Sequence, residues 1–402
     1  MRRIERSGQD DTPPGISRPR RRHRWRRLAV LALAPLLALS ATGATAQGVW
    51  LTLPSIPTAR SGHAAATAPC PGGLQQACVY VFGGQQPPGG GPFRSELEAY
   101  SPATNAWATL TPLPTPREGL AGRGAPCPGR PQDGCVYAIG GRNASGLVST
   151  VEAYSPATGA WATLTPLPTP RADLAAAKAP CPTGLGLRGT CVYAIGGQGA
   201  TGPVATVEAY SPATETWATL TPLPGLRTDI GAVGAPCPPG MGLRGGCVYA
   251  VDSTGSLLLY SPVTNAWMTL RSLPLAHADR PAVVAAPCPG GLPGGCVYVV
   301  GGAGTAARAV HAYSPVTGGW ITLPVTPTGH RRTAGTVAPC PKESTSPCVY
   351  VVGGSSDGGI PIAVPDGTAA EAFAVERDPQ RPGGPGGPGG PGGPGGPGGP
   401  RG

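Results

Sequence analysis

VEAYSPATGAWATLTPLPTPR occupies residues 151–171, and near copies stand at residues 97–117 (LEAYSPATNAWATLTPLPTPR) and 207–227 (VEAYSPATETWATLTPLPGLR). Each copy joins a short apolar run ending in Tyr to a second run opening on Trp, through Ser-Pro-Ala-Thr and Asn, Gly or Glu. Proline at the second turn position presets φ near −65°, and a following Gly or Asn tolerates the left-handed backbone that closes a hairpin. The phrase is therefore a strand, a turn and a strand. Outward from it, the tryptophans Trp50, Trp107, Trp161, Trp217, Trp267 and Trp320 recur at intervals of 57, 54, 56, 50 and 53. A period near 50 is that of one propeller blade.

Each unit reads as four strands. Strand A runs from the Arg that closes the phrase to Ala-Pro-Cys; strand B is the apolar run CVYAIGG; strand C is VEAY; strand D is WATL. Four short antiparallel strands per repeat predict an all-β propeller. The ends predict the blade count. The last unit has Phe373 in the tyrosine place but Gln380 where its Trp is due, whereas Trp50 has no Tyr before it. If VWLTLP supplies the outer strand of the last unit, six blades close into a ring, which has no terminal face to cap.

The Gly doublets Gly83-Gly84, Gly140-Gly141, Gly196-Gly197, Gly301-Gly302 and Gly353-Gly354 follow strand B, with Asp252-Ser253 in unit four. Together with the spaced Tyr and Trp they resemble the kelch repeat family over about residues 49–377. That resemblance implies a six-bladed kelch-type β-propeller whose ligand face gathers the B-to-C loops around the channel.

Composition agrees with short strands and turns: 65 Gly, 53 Pro and only 12% charged residues among 402. The net charge of +10 is concentrated at one end, where residues 1–46 hold ten Arg against Glu5, Asp10 and Asp11, so a nucleic-acid partner is not expected. An Arg-rich flank, the apolar stretch Leu28 to Leu39 and Ala44-Thr45-Ala46 have the order of a secretory signal. We therefore expect a signal over 1–46, a propeller over 47–378 and a Gly/Pro-rich disordered tail over 379–402. The mature chain is expected to be a monomer, outside the cell or on its surface, without a stable membrane span.

Twelve cysteines fit that compartment. They fall as Cys70/Cys78, Cys127/Cys135, Cys181/Cys191, Cys237/Cys247, Cys288/Cys296 and Cys340/Cys348, 8 or 10 positions apart. The pattern predicts one disulfide per blade, across the A–B hairpin between residues of a non-hydrogen-bonded pair. Zinc prefers closer thiolates, and His63, His277, His311 and His330 form no ligand spacing, so no metal and no cofactor are expected.

Ten residues before the first cysteine of each unit stand Arg60, Arg117, Arg171, Arg227, Ala278 and His330. At the start of the innermost strand these cations are candidates to ring the channel mouth and bind a carboxylate, sulfate or phosphate. The competing reading ties them to Glu98, Glu152, Glu208 and Glu371 within the blades. In unit four the glutamate is replaced by Leu258, so Arg227 is expected to lack that partner and is the first candidate for ligand contact. The functional expectation is an exported binding module for a protein or an anionic ligand such as an acidic carbohydrate. A mutarotase or epimerase of an acidic sugar such as sialic acid and a structural surface protein are the alternatives. No paired carboxylates or nucleophile–base set marks a catalytic residue.

Overall fold

A computed structural model describes residues 48–73, 76–87, 90–342, 347–355 and 366–375. The expected signal and tail lie outside the described residues, and no described helix is long and apolar enough to cross a membrane. Six four-stranded antiparallel sheets form the blades of a β-propeller. Their innermost strands, A, are Ala64–Pro69, Ala121–Cys127, Ala175–Pro180, Gly231–Pro236, Ala282–Pro287 and Ala334–Pro339.

Strand B is buried on both faces, as its continuous apolar sequence requires: Val79, Tyr80, Val81 and Phe82 are all inaccessible. Strand D is the half-exposed outer edge. Its Trp lies directly opposite the tyrosine of strand C, for example Tyr154 opposite Trp161 with ring centroids 5.4 Å apart. Each indole also reaches the neighbouring blade, because its N–H donates to a backbone carbonyl about one repeat earlier. Trp107 binds Pro54 O at 2.8 Å, Trp161 binds Thr111 O at 2.9 Å and Trp217 binds Thr165 O at 3.0 Å. The repeated aromatic pair thus packs within one blade and fastens it to the one before.

The ring closes as the sequence implies. Val49–Thr52 pairs antiparallel with Ala370–Ala374, placing Trp50 opposite Phe373, and the Trp50 indole donates to Pro324 O at 2.8 Å. The chain's first described strand therefore completes its last blade.

All six expected disulfides are present. Cys70–Cys78, Cys127–Cys135, Cys181–Cys191, Cys237–Cys247, Cys288–Cys296 and Cys340–Cys348 have Cα–Cα separations between 4.8 and 5.0 Å. The pairing is as expected, but the placement within the hairpin is corrected, because no bridge joins residues directly opposite each other. Opposite the second cysteine stands a buried alanine in every blade: Ala68 faces Cys78, Ala125 faces Cys135 and Ala179 faces Cys191. Likewise Ala235 faces Cys247, Ala286 faces Cys296 and Ala338 faces Cys348. The first cysteine lies two residues beyond that alanine, so each bridge runs diagonally. In five blades it sits just past the end of strand A, where the chain turns back toward strand B; Cys70 N–H, for example, donates to Gln76 O at 2.8 Å.

A second clamp holds the same hairpin. The tyrosine two positions after the second cysteine donates its hydroxyl to the carbonyl of the proline before the first. The distances are 2.5 Å for Tyr80 to Pro69, 2.5 Å for Tyr137 to Pro126, 2.5 Å for Tyr193 to Pro180 and 2.8 Å for Tyr249 to Pro236. Burial raises the Tyr193 phenol above its ordinary value, so it stays a donor. Tyr193→Phe leaves the Pro180 carbonyl unpaired and should lower stability by about 1–2 kcal/mol in urea unfolding of the oxidised protein. An unchanged midpoint and slope would show that the clamp is dispensable.

Candidate functional site

The recurring cations are not an accessible ring. Arg60, Arg117 and Arg171 are fully buried, and burial lowers each guanidinium while the neighbouring glutamate opposes that shift. Arg117 Nη1 lies 2.6 Å from Glu152 Oε2, and the guanidinium also donates to the carbonyls of Thr115, Ala138 and Gly140. Arg60–Glu98 and Arg171–Glu208 repeat the contact at 2.6 Å each. The glutamate's second oxygen accepts from a threonine two residues before the arginine: Thr58 at 2.7 Å, Thr115 at 2.9 Å and Thr169 at 2.9 Å. These three arginines therefore lie inside the blades, because a buried guanidinium is tolerated only with a carboxylate and most of its donors satisfied.

His330 holds the same place in blade six, with Nε2 3.0 Å from Glu371 Oε2 and Nδ1 3.1 Å from Gly353 O. Thr328 again caps the glutamate at 2.7 Å. In blade four, Arg227 does have a partner. Asp252, standing in place of the first glycine of the doublet, brings its carboxylate to 2.5 Å from Arg227 Nη1. The expectation of an unpaired Arg227 is corrected for a simple reason: the departure at Leu258 is offset by the departure at Asp252. Arg227 remains the least buried of the four arginines, its side chain 23% exposed.

Blade five carries an insertion. Counting back ten residues from Cys288 reaches Ala278, but His277 is the residue in the buried place. Its Nδ1–H donates to Gly301 O at 2.5 Å, and its Nε2 accepts from His311 Nδ1–H at 2.9 Å. His311 occupies the glutamate position, so a neutral imidazole pair replaces the ion pair. The extra residue is absorbed by consecutive left-handed residues, Asp279 and Arg280, with φ of 64° and 56°.

What the channel mouth presents lies one to three residues beyond the buried cations. The second residue after each is Gly62, Gly119, Asp173, Asp229, Asp279 or Arg332, and all six have positive φ. Their backbones form a belt around the axis. Gly62 N donates to Arg332 O at 3.1 Å, Gly119 N to Gly62 O at 2.8 Å, Asp173 N to Gly119 O at 2.7 Å and Arg332 N to Asp279 O at 3.0 Å. Among the described residues the belt is open only around Asp229.

The side chains then meet across the ring. Glu118 binds Arg142 at 2.8 Å and Arg332 at 3.1 Å; Asp173 binds Arg142 at 3.0 Å and Arg280 at 3.1 Å; Asp279 binds Arg331. Arg280, delivered by the insertion, spans the mouth from blade five and donates to Leu120 O of blade two at 3.3 Å. Asp229 makes no ion pair among the described residues. Burial and the Asp173 charge raise its carboxyl, with Arg280 and Arg332 acting the other way. This charged rim was missed in the sequence, although one signal was there: the second residue after the cation changes from Gly to Asp to Arg around the repeats.

The buried pairs have consequences for stability. Arg171→Ala leaves the Glu208 carboxylate buried and unpaired and should cost about 3–5 kcal/mol in denaturant unfolding, much more than Arg171→Met combined with Glu208→Leu; equal losses would contradict the ion-pair account. His277 is pushed down to about 4 from its ordinary 6.5 by burial. A histidine lowered on folding contributes stability that is whole above its unfolded value and is lost as pH falls from about 6.5 toward 4, here roughly 3 kcal/mol. Joint replacement His277→Arg and His311→Glu, restoring the pair of the other blades, should flatten that part of the stability–pH curve.

Comparison with known proteins matches the fold. The Kelch motif model matches residues 129–168 and 179–224. The chain is 30% identical over 189 residues to the Kelch-like protein terF of Aspergillus terreus, a match covering 44% of this chain and 36% of that protein. The chain thus spans about a third of the length of this curated relative.

Proposed function

From the premise that the chain belongs to the kelch repeat family, we propose that it is an exported protein-interaction module that docks its partner on the charged rim of the channel face. The carrying observation is the rim itself. Arg142, Arg331, Arg332, Asp229 and Asp279 reach solvent around one mouth, over the buried Glu118, Asp173 and Arg280. A charge-balanced surface of this kind suits a protein, which carries both signs and can exchange its own ion pairs with those of the rim. Asp229, without an ion pair, offers a contact for a basic side chain, and the Arg331 side chain, 47% exposed, offers one for a carboxylate.

The acidic-carbohydrate reading rested on a channel lined by accessible cations, Arg227 first among them. Arg60, Arg117 and Arg171 are buried against glutamates and Arg227 pairs with Asp252, which favours a protein partner. Export is supported by six disulfides in a chain with no free cysteine among the described residues.

Selection of displayed peptides on the oxidised protein tests this. Binders should carry both charge signs, and Asp229→Asn together with Arg331→Ala should weaken them at least tenfold without changing the melting temperature by more than a few degrees. Binders indifferent to these substitutions would place the interaction surface elsewhere.

A further inference from the structure

Below the rim, the six inner strands enclose an axial cavity of about 80 Å³, lined from every blade by residues that include His63, Leu120, Leu174, Ile230, Arg280 and Arg123. Most of its wall is alanine, glycine and valine. Two polar groups of this wall, the Arg123 guanidinium and His63 Nδ1, lack a partner among the described residues. Arg123 forms no ion pair or hydrogen bond among the described residues, and burial alone lowers it to about 10. His63 is 1% exposed; its Nε2–H donates to Val352 O at 3.0 Å, which leaves Nδ1 as a buried acceptor with no donor.

The repeat shows how unusual both are. Arg123 lies opposite Tyr137, and the residues opposite the matching tyrosines are Ala66, Ala177, Val233, Val284 and Thr336. His63 stands where the other blades have Leu120, Leu174, Ile230, Pro281 and Thr333 before strand A. On the next blade and one register position further along, Lys178 replaces the Thr67, Gly124, Gly234, Ala285 and Val337 of the others. Lys178 is also close enough to Arg123 for the two charges to lower its ammonium, after burial. A repeat that places small or apolar residues at these positions has placed a cation and an orphan acceptor in one cavity, with a second cation beside the first.

We propose that the axial cavity is a binding site for a small oxyanion that also carries a hydroxyl, hydrogen phosphate being the simplest, held by Arg123 with its O–H donated to His63 Nδ1, and drawn in by the nearby Lys178 charge outside the cavity wall. The guanidinium fork matches two oxygens of such an ion, and the lysine adds positive charge close to the guanidinium. The hydroxyl supplies the one donor His63 lacks. The site does not rest on the reading of the rim, and its cations belong to different residues.

The repeat also supplies substitutions that the fold already accommodates. Arg123→Ala installs the residue of blades one and three, Lys178→Ala that of blade five, and His63→Leu that of blades two and three. Calorimetric titration of the oxidised full chain with inorganic phosphate, and separately with sulfate, at pH 7 and low ionic strength reads the outcome, with melting temperatures of the unliganded variants as the folding control. Phosphate should bind more tightly than sulfate. Arg123→Ala should lose at least tenfold, Lys178→Ala several-fold, and His63→Leu should bring phosphate down to the level of sulfate. The proposal is overturned if the unsubstituted protein binds no phosphate, or if Arg123→Ala binds it as well as the parent. Equal affinity for phosphate and sulfate in the parent would remove the role of His63.

Discussion

A guanidinium taken out of water must meet a carboxylate and find acceptors for its N–H groups, or it destabilises the fold that buried it. Three blades of this propeller are organised around that constraint. Arg60, Arg117 and Arg171 each draw in a glutamate from strand C, a threonine two residues upstream and the carbonyls at the end of strand B. Where one member changes, the others change with it. Thr58, Thr115, Thr169 and Thr328 accompany the four glutamates, whereas Gly225 and Leu275 stand at that position in the two blades where the glutamate is Leu258 or His311. The threonine serves the carboxylate, so without the carboxylate it has no function.

Around this buried layer the ring is held at three radii. At the outside, each Trp reaches a carbonyl of the preceding blade. At the base, a diagonal disulfide and a tyrosine-to-proline hydrogen bond close each A–B hairpin. At the mouth, a backbone belt of left-handed residues links neighbouring blades, and the Gly doublets permit the close approach. A Cβ on Gly141 would lie 2.7 Å from Glu118 O, and one on Gly197 would lie 2.5 Å from Ala172 O. Closure by Val49–Thr52 makes these contacts mutually dependent, because opening one blade interface releases the ring.

Much of this was legible in the sequence. The period, the Tyr–Trp pairs, the six cysteine pairs and the orphan Trp50 repeat locally, and local repetition is enough to define a blade and to close the ring. The diagonal of the disulfides was less so, since spacing along the chain names the partners but not which residue of strand A stands opposite Cys135 or Cys191. The buried state of the cations was legible only in part: the glutamates two residues before the strand-C tyrosine pointed to it, while Asp252, just past strand B, did not stand in the repeat's expected place. The rim was hardly legible at all. Arg332 and Glu118, or Arg280 and Asp173, meet across the axis over more than a hundred residues, and no spacing within one repeat encodes such a contact. The one-residue insertion that swings Arg280 over the channel also shifted His277 out of the counted register. In a repetitive chain the departures carry the information: the shared residues build the scaffold, and Arg280, Arg123 and His63 differ from their counterparts where the channel is lined.

The central claim is that the recurring arginines are interior struts, whereas Arg331, just beyond the buried His330, faces solvent. Selective ¹⁵N-arginine NMR of the oxidised protein at neutral pH tests it directly, with assignments from single Arg→Lys substitutions. The side-chain N–H signals of Arg60, Arg117 and Arg171 should exchange with water far more slowly than those of Arg331. Exchange of all four at the same rapid rate would contradict the account.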